Sequence, residues 1–367
     1  RDLHTFPTRR SSDLYKVYRI IPQARRGLAA SVKEGVILEN EFYRLAVDPS
    51  LAAVTSLIDK ESGADLVAGS APWQLGRLIY ETLPARGSVD RKLFKQSSTH
   101  HISLPAVETN ALWQSLRLTA EMEGCRPAEK DPARPAVTQE IRLYHAAKKI
   151  EFRYSIRKAP VTTPEAVYVA FPWNLQDGRI VYEAQGGAVT PGSTTLPGSA
   201  SDWQTIQNYI AVRNGSGQII LGSDRAPLVM CGDLNLGKWQ YQFKADRPYL
   251  YSYVMNNYWH TNFPASQQGE IAWNYYMTST ADTSNTRATR FGWENRVPLV
   301  ARVIPPGLSH SAKTLLSALH IEGDNVLLVS ATPGVRDGEI VLLVREVAGK
   351  AAELRITSGL DKIPSCT

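Results

Sequence analysis

Alternation of apolar and polar residues dominates the chain, most cleanly in Ile150-Glu151-Phe152-Arg153-Tyr154-Ser155-Ile156-Arg157, where every second side chain is apolar. Successive side chains of an extended strand point to opposite faces, so a period of two predicts a strand with one face in a core and the other toward solvent. The preceding stretch puts Val137, Ile141 and Leu143 on one face, and His145-Ala146-Ala147-Lys148 joins the two segments as a hairpin. Tyr43, Leu45 and Val47 alternate in the same way against Arg44, Ala46 and Asp48. Further strands are predicted over 112–119, 165–171, 179–183, 209–213, 218–222, 250–255 and 270–277, with Asn214-Gly215-Ser216-Gly217 as a turn between two of them. Helical periodicity is nearly absent, and 311–320 is the single stretch predicted to hold a short helix. The predicted class is therefore all-β. Connections as different in length as 160–164 and 186–202 point to a large antiparallel β-sandwich rather than to a short repeat array.

Composition divides the chain. All eight tryptophans lie between Trp73 and Trp293. Aromatics then vanish after Arg302-Val303-Ile304-Pro305-Pro306-Gly307, and the tail carries short strands over 325–330, 339–347 and 352–357. The expected organisation is a leader over 1–14, a large β-sandwich over 15–306, and a small second β-sandwich over 307–367 that the sequence truncates. The leader segment Phe6-Pro7-Thr8-Arg9-Arg10-Ser11-Ser12-Asp13-Leu14 reads as one frame of a short-read sequencing adapter. It lacks the apolar core and small-residue cleavage site of a signal peptide, so it does not reveal a compartment.

A chain of 367 residues with 43% hydrophobic content can bury a large core. Its net charge of +6 comes from 41 basic and 35 acidic residues interspersed without a basic block, so no nucleic-acid partner is expected. No run approaches the ~18 apolar residues of a membrane helix, and no membrane partner is expected. Cys125, Cys231 and Cys366 lack CxxC spacing and read as buried thiols, which leaves the redox compartment open.

Glycosidic hydrolysis with retention needs two carboxylates about 5–5.5 Å apart across the scissile bond, and no such pair can be assigned among the acidic residues, so no catalytic residue is predicted. The histidines are His4, His100, His101, His145, His260, His310 and His320, none in an HxD, HxH or HExxH arrangement. His100-His101 is the single cluster, and adjacent residues of a strand point to opposite faces, which makes it a poor chelate. No metal site and no cofactor are predicted in this chain. A GxSxG elbow is missing, and Gly215-Ser216-Gly217 has no helix after it to form a phosphate cradle.

Three clusters of aromatics with amides or carboxylates do stand out: Asp202-Trp203 after a Gly/Pro/Ser/Thr-rich loop, Gly232-Asp233-Leu234-Asn235-Leu236-Gly237-Lys238-Trp239, and Asn256-Asn257-Tyr258-Trp259-His260-Thr261-Asn262. Amides and carboxylates bond sugar hydroxyls, while flat rings cover the apolar faces of a sugar. Each residue taken singly also fits a turn or core role. Their repeated clustering favours a carbohydrate surface, with Asp233, Asn235, Asn257 and Trp259 as candidate substrate-binding residues.

The same segments carry a family likeness. Ile37-Leu38-Glu39-Asn40-Glu41-Phe42-Tyr43-Arg44-Leu45-Ala46-Val47-Asp48, followed by Thr55-Ser56-Leu57-Ile58-Asp59-Lys60-Glu61-Ser62-Gly63, resembles the entry into the C-terminal region of family 38 α-mannosidases. Tyr168-Val169-Ala170-Phe171-Pro172-Trp173, Leu196-Pro197-Gly198-Ser199-Ala200-Ser201-Asp202-Trp203 and Tyr251-Ser252-Tyr253-Val254-Met255-Asn256-Asn257-Tyr258-Trp259 are similar to bacterial members of that group. The likeness runs from Gly35 to Gly307 and departs at Leu51-Ala52-Ala53, where the family has a glycine turn. It implies a large β-sandwich of galactose-mutarotase-like type, cut from a retaining exo-α-mannosidase. The catalytic aspartates and the zinc ion of such an enzyme belong to a catalytic α/β barrel domain and its helical bundle, which would be this region's partner in the same polypeptide. The chain would then be inactive alone, pack on that domain and help enclose a mannose-containing glycan. The family's sugar-facing tyrosine maps onto the segment Gly76-Arg77-Leu78-Ile79-Tyr80-Glu81, which makes Tyr80 the fifth candidate substrate-binding residue.

Two other readings use the same features. One is a stand-alone carbohydrate-binding or scaffold module. The other is a mutarotase-like sugar epimerase, whose histidine acid and glutamate base could only be drawn from His260 and Glu270.

Overall fold

The computed structural model describes residues 13–16, 35–86, 90–103, 105–127, 134–258, 262, 264–297, 299–301, 315–317 and 319–358, with the backbone alone for 13–16, 315–317 and 358. The chain divides into two compact units, one formed by Arg26–Thr283 and Phe291–Arg296 and the other by the remainder. The predicted linker at Ile304–Gly307 lies outside the described residues.

The larger unit is built from antiparallel sheets. The largest has nine strands in the order Gly187–Val189, Arg179–Ala184, Ile210–Arg213, Gln218–Ser223, Gly269–Thr280, Ile150–Lys158, Val137–Tyr144, Trp113–Ala120 and Ala106–Thr109. A second has six, in the order Gln204–Thr205, Leu228–Cys231, Tyr249–Asn256, Glu165–Pro172, Leu78–Thr82 and Lys95–Ser97. A third has three, Val36–Glu39, Tyr43–Asp48 and Ala53–Asp59. The predicted hairpin is present: Ile150 pairs with Leu143 and Ile156 with Val137, so the apolar sets of both strands leave the same face.

That face meets the six-stranded sheet, and the two enclose the main core. Phe171 of the smaller sheet packs edge-on against Phe152 at 5.9 Å and Tyr275 at 4.9 Å of the larger one. The Tyr275 hydroxyl donates across the interface to Ser252 at 2.7 Å. Stacked sheets with interdigitated inner faces are the expected resting place for strands whose alternate residues are apolar.

The six-stranded sheet is covered on its other face as well. Glu165–Pro172 is buried at every position, and Ile79, Tyr168, Tyr251 and Tyr253 form a second, smaller core with Met230 and Leu234. The three-stranded sheet joins the main core through Tyr43, whose hydroxyl donates to Ser279 at 2.8 Å. Ser279 in turn donates to Asp59 at 2.7 Å. Ala52 occupies the turn where the resemblance expects glycine, and it takes the left-handed conformation a glycine would take, at φ +49°.

Helix among the described residues is confined to Asn285–Arg296 and a single 3-10 turn, Arg91–Leu93. The predicted helix over 311–320 is corrected, since 315–317 and 319–322 are strands. In the smaller unit Leu319–Glu322 pairs with Arg355–Ser358, Val326–Pro333 with Ile340–Glu346, and Asp13–Lys16 with Leu315–Ser317. No helix among the described residues is long and apolar enough to cross a membrane.

Candidate functional site

Tyr80 and Glu81 are neighbours on the strand Leu78–Thr82 and therefore leave opposite faces of the six-stranded sheet. Tyr80 points inward. Its hydroxyl donates to Glu165 Oε2 at 2.6 Å, and Lys158 Nζ sits 2.7 Å from the other oxygen of Glu165. Burial first, then the Glu165 carboxylate, push the Tyr80 phenol well above its ordinary range, so it stays a neutral donor. Gly124 lies over its ring.

Glu81 points to the other face and is fully enclosed. Its Oε1 accepts from the hydroxyls of Tyr168 at 3.0 Å and Tyr258 at 3.2 Å, while Oε2 accepts from Gln96 at 2.6 Å and pairs with Arg91 at 3.3 Å. Aromatic rings surround it: Tyr168 stacks on Tyr253, Trp203 leans on Tyr253, and Arg91 lies over Phe94. Nothing in the sequence singles out Glu81. A lone glutamate in a strand carries no signal that four donors will close on it.

The other candidates fall into different environments. Asn257 is buried, accepts from Glu165 N at 2.7 Å and donates to the carbonyls of Val161, Thr163 and Ala265 at 3.0–3.2 Å. Its amide is spent on joining three backbone segments. Asn235 is buried too and donates to Cys231 O at 2.8 Å, closing the turn before Lys238. Asp233 is exposed and paired with Lys238 at 2.5 Å. Trp259 lies outside the described residues, as does His260. Tyr80, Asn235 and Asn257 thus present no free polar group, and the described candidates do not share one exposed patch. The physical reason is that an amide or phenol serves main-chain groups or a buried charge as well as it serves a sugar. Glu270 is exposed and pairs with Arg134 at 3.5 Å.

An exposed aromatic surface does exist, beside two of the sequence clusters. Trp239 and Tyr241 are 60% and 63% exposed, with ring centroids 6.3 Å apart, and Leu196 is 80% exposed. Two loops hold this ledge. Gly198 N donates to Tyr241 O at 2.7 Å, and Gln240 N donates to Ser201 Oγ at 3.0 Å. Gly198 sits at φ +80°, and a Cβ there would stand 3.3 Å from the Tyr241 ring, so glycine lets the loops close. Asp202 at the base accepts from Gly237 N at 3.4 Å, and burial raises its pKa above the usual aspartate value. A cleft of about 290 Å³ opens along the same loops, lined by Arg179, Thr190, Pro191, Ser193 and Phe243 among others.

The histidine pair also differs from its expected geometry. His101 is not extended but lies at φ +48°, so the alternation that would separate its ring from that of His100 does not apply.

Comparison with known proteins follows from this architecture. Residues 38–219 match the family model described as the glycosyl hydrolases family 38 C-terminal domain. No curated protein matches the sequence. A protein of glycosyl hydrolase family 38 from Enterococcus faecalis superposes with a TM-score of 0.67 and 11% identity, covering 92% of this chain and 41% of its own. An alpha-mannosidase from Enterococcus faecalis V583 gives 0.66 and 11%, covering 91% and 39%. These likenesses show a shared fold, and the chain spans about two fifths of the length of those proteins. A galactose mutarotase-like protein from Lactobacillus casei aligns over 67% of this chain and 100% of its own at 8% identity, but its TM-score of 0.36 is too low to argue from. The chain therefore carries, over residues 38–219, the C-terminal domain of glycosyl hydrolases family 38.

Proposed function

We propose that the chain is the non-catalytic β-region of an α-mannosidase-like glycoside hydrolase, packing on a catalytic barrel domain of the same polypeptide and completing its pocket for a mannose-containing glycan. The observation that carries this reading is the fate of the two enclosed carboxylates. Glu81 and Glu165 lie on opposite faces of one sheet, each closed over by donors of the chain itself. Neither looks onto a cleft where a glycosidic bond could lie between two carboxyl groups. Zinc, in this reading, belongs to the catalytic domain.

The ledge of Leu196, Trp239 and Tyr241 is the surface suited to meet that domain or the glycan, because two bonded loops hold its rings and leave more than half of each exposed. Asn235 and Asn257 act from behind. Asn235 closes the turn that precedes Trp239, Asn257 joins the main chain of Val161, Thr163 and Glu165 to that of Ala265, and Asp233 is the polar group left exposed beside Asn235.

Sequencing the intact gene through its upstream frame tests the reading. It is supported by an in-frame barrel domain bearing an HxD motif. A start codon with no such domain ahead of the β-region would turn the choice to a stand-alone carbohydrate-binding module.

A further inference from the structure

His100, His101 and Glu121 bring three metal-ligand atoms within 4.8 Å of one another. The main chains of His100 and Glu121 exchange two hydrogen bonds, each 2.9 Å, so the two residues stand directly opposite and their side chains leave the same face. An extended His101 would point away. Its left-handed backbone, a region histidine enters more readily than most residues, swings the ring back beside that of His100, with centroids 4.9 Å apart. Glu121 Oε2 then lies 3.0 Å from His101 Nδ1 and 3.8 Å from His100 Nε2.

Tetrahedral zinc with bonds of about 2.1 Å holds its ligand atoms about 3.4 Å apart, a spacing that the two Glu121 distances straddle. The third edge closes by rotation of the exposed rings, whose side chains are 49% and 76% accessible. Two imidazoles and one carboxylate suit a borderline divalent ion, not the all-oxygen shells of calcium or magnesium.

We propose that His100 Nε2, His101 Nδ1 and a Glu121 carboxylate oxygen bind one divalent first-row transition ion of the zinc class, with solvent in the remaining position. The ion ties the turn at 100–101 to Glu121, just beyond the strand Trp113–Ala120.

Zinc chloride titrated calorimetrically into the full chain, purified without a histidine tag, tests this. His100→Ala, His101→Gly and Glu121→Gln are compared with the parent, His101→Gly being chosen because glycine accepts the left-handed turn. The expected result is one equivalent of zinc bound by the parent, affinity lowered about tenfold or more in each variant, no calcium binding, and metal-free melting temperatures unchanged. A parent that binds no zinc, or a His100→Ala/His101→Gly double variant that binds it as tightly, would overturn the proposal.

Discussion

Lys158 Nζ lies 2.7 Å from Glu165 Oε1 with neither side chain reaching solvent. The ammonium also donates to the carbonyls of Gly124 at 2.7 Å and Ala159 at 3.1 Å, and Tyr80 supplies the second oxygen of Glu165 with its hydroxyl. Both charges are therefore matched, and removing one strands the other. Glu165→Gln is expected to destabilise the protein by about 3–5 kcal/mol in urea unfolding. Tyr80→Phe loses one bond to a charged acceptor and should cost about 1.5–3 kcal/mol. A Glu165→Gln variant as stable as the parent would contradict the enclosed pair.

Gly124 closes the same site from above. It stands at φ +71°, and a Cβ there would come within 2.6 Å of the Tyr80 ring and hydroxyl. Gly124→Ala meets both backbone strain and overlap, and is expected to lower stability by roughly 2 kcal/mol or more. Thermal melting of this variant beside Gly63→Ala separates the two effects, because Gly63 also has a positive φ but has open space around it.

Acid stability should depend on Asp59. Burial alone would raise its pKa, but the Ser279 hydroxyl, the Lys148 ammonium and the Glu61 amide together hold it below the usual aspartate value. A carboxyl depressed in the native state contributes stability at pH above its unfolded pKa and loses it as pH falls through the native one. Urea midpoints measured from neutral pH down through the carboxylate range should fall less steeply in Asp59→Asn than in the parent. Equal slopes would mean that Asp59 is not linked to folding.

The thiols make a fourth case. Burial pushes Cys231 up to about 12 and Cys125 to about 11, Lys158 opposing the rise at Cys125. Thiolate is the reactive form, so neither should label at neutral pH in the folded protein. An aromatic disulfide reagent should find at most one thiol, Cys366, before denaturation and all three after it. Rapid native labelling of Cys231 would show that the strand Leu228–Cys231 opens.

The sheets were legible because their signal is local. Ile150–Lys158 and its partner Val137–Tyr144 can be read from alternation, and Glu165–Pro172 from its run of β-branched and aromatic residues between turn signals. The helix Asn285–Arg296 was not, because its packed positions are Ala288, Thr289, Phe291 and Gly292 rather than a stripe of large apolar residues. Gly292 is there for approach: a Cβ would stand 2.4 Å from Asn208 O. The candidate site was legible in kind but not in detail. Aromatic and amide clusters mark the loops that carry the exposed Trp239, yet Asn257 serves carbonyls more than ninety positions away, a partnership that no local pattern encodes. The direction of the His101 ring is hidden for a related reason, since one left-handed residue reverses the direction a strand would dictate.

The reading of this chain as a non-catalytic partner is tested most directly by hydrolysis of an aryl α-mannoside, measured for the purified chain and for the product of the intact gene, each with added zinc and again with a chelator. The chain alone should release nothing above the uncatalysed rate, while the intact product turns over the substrate and is silenced by the chelator. Chelator-sensitive hydrolysis by the chain alone, or an intact product with no mannosidase activity, would contradict the account.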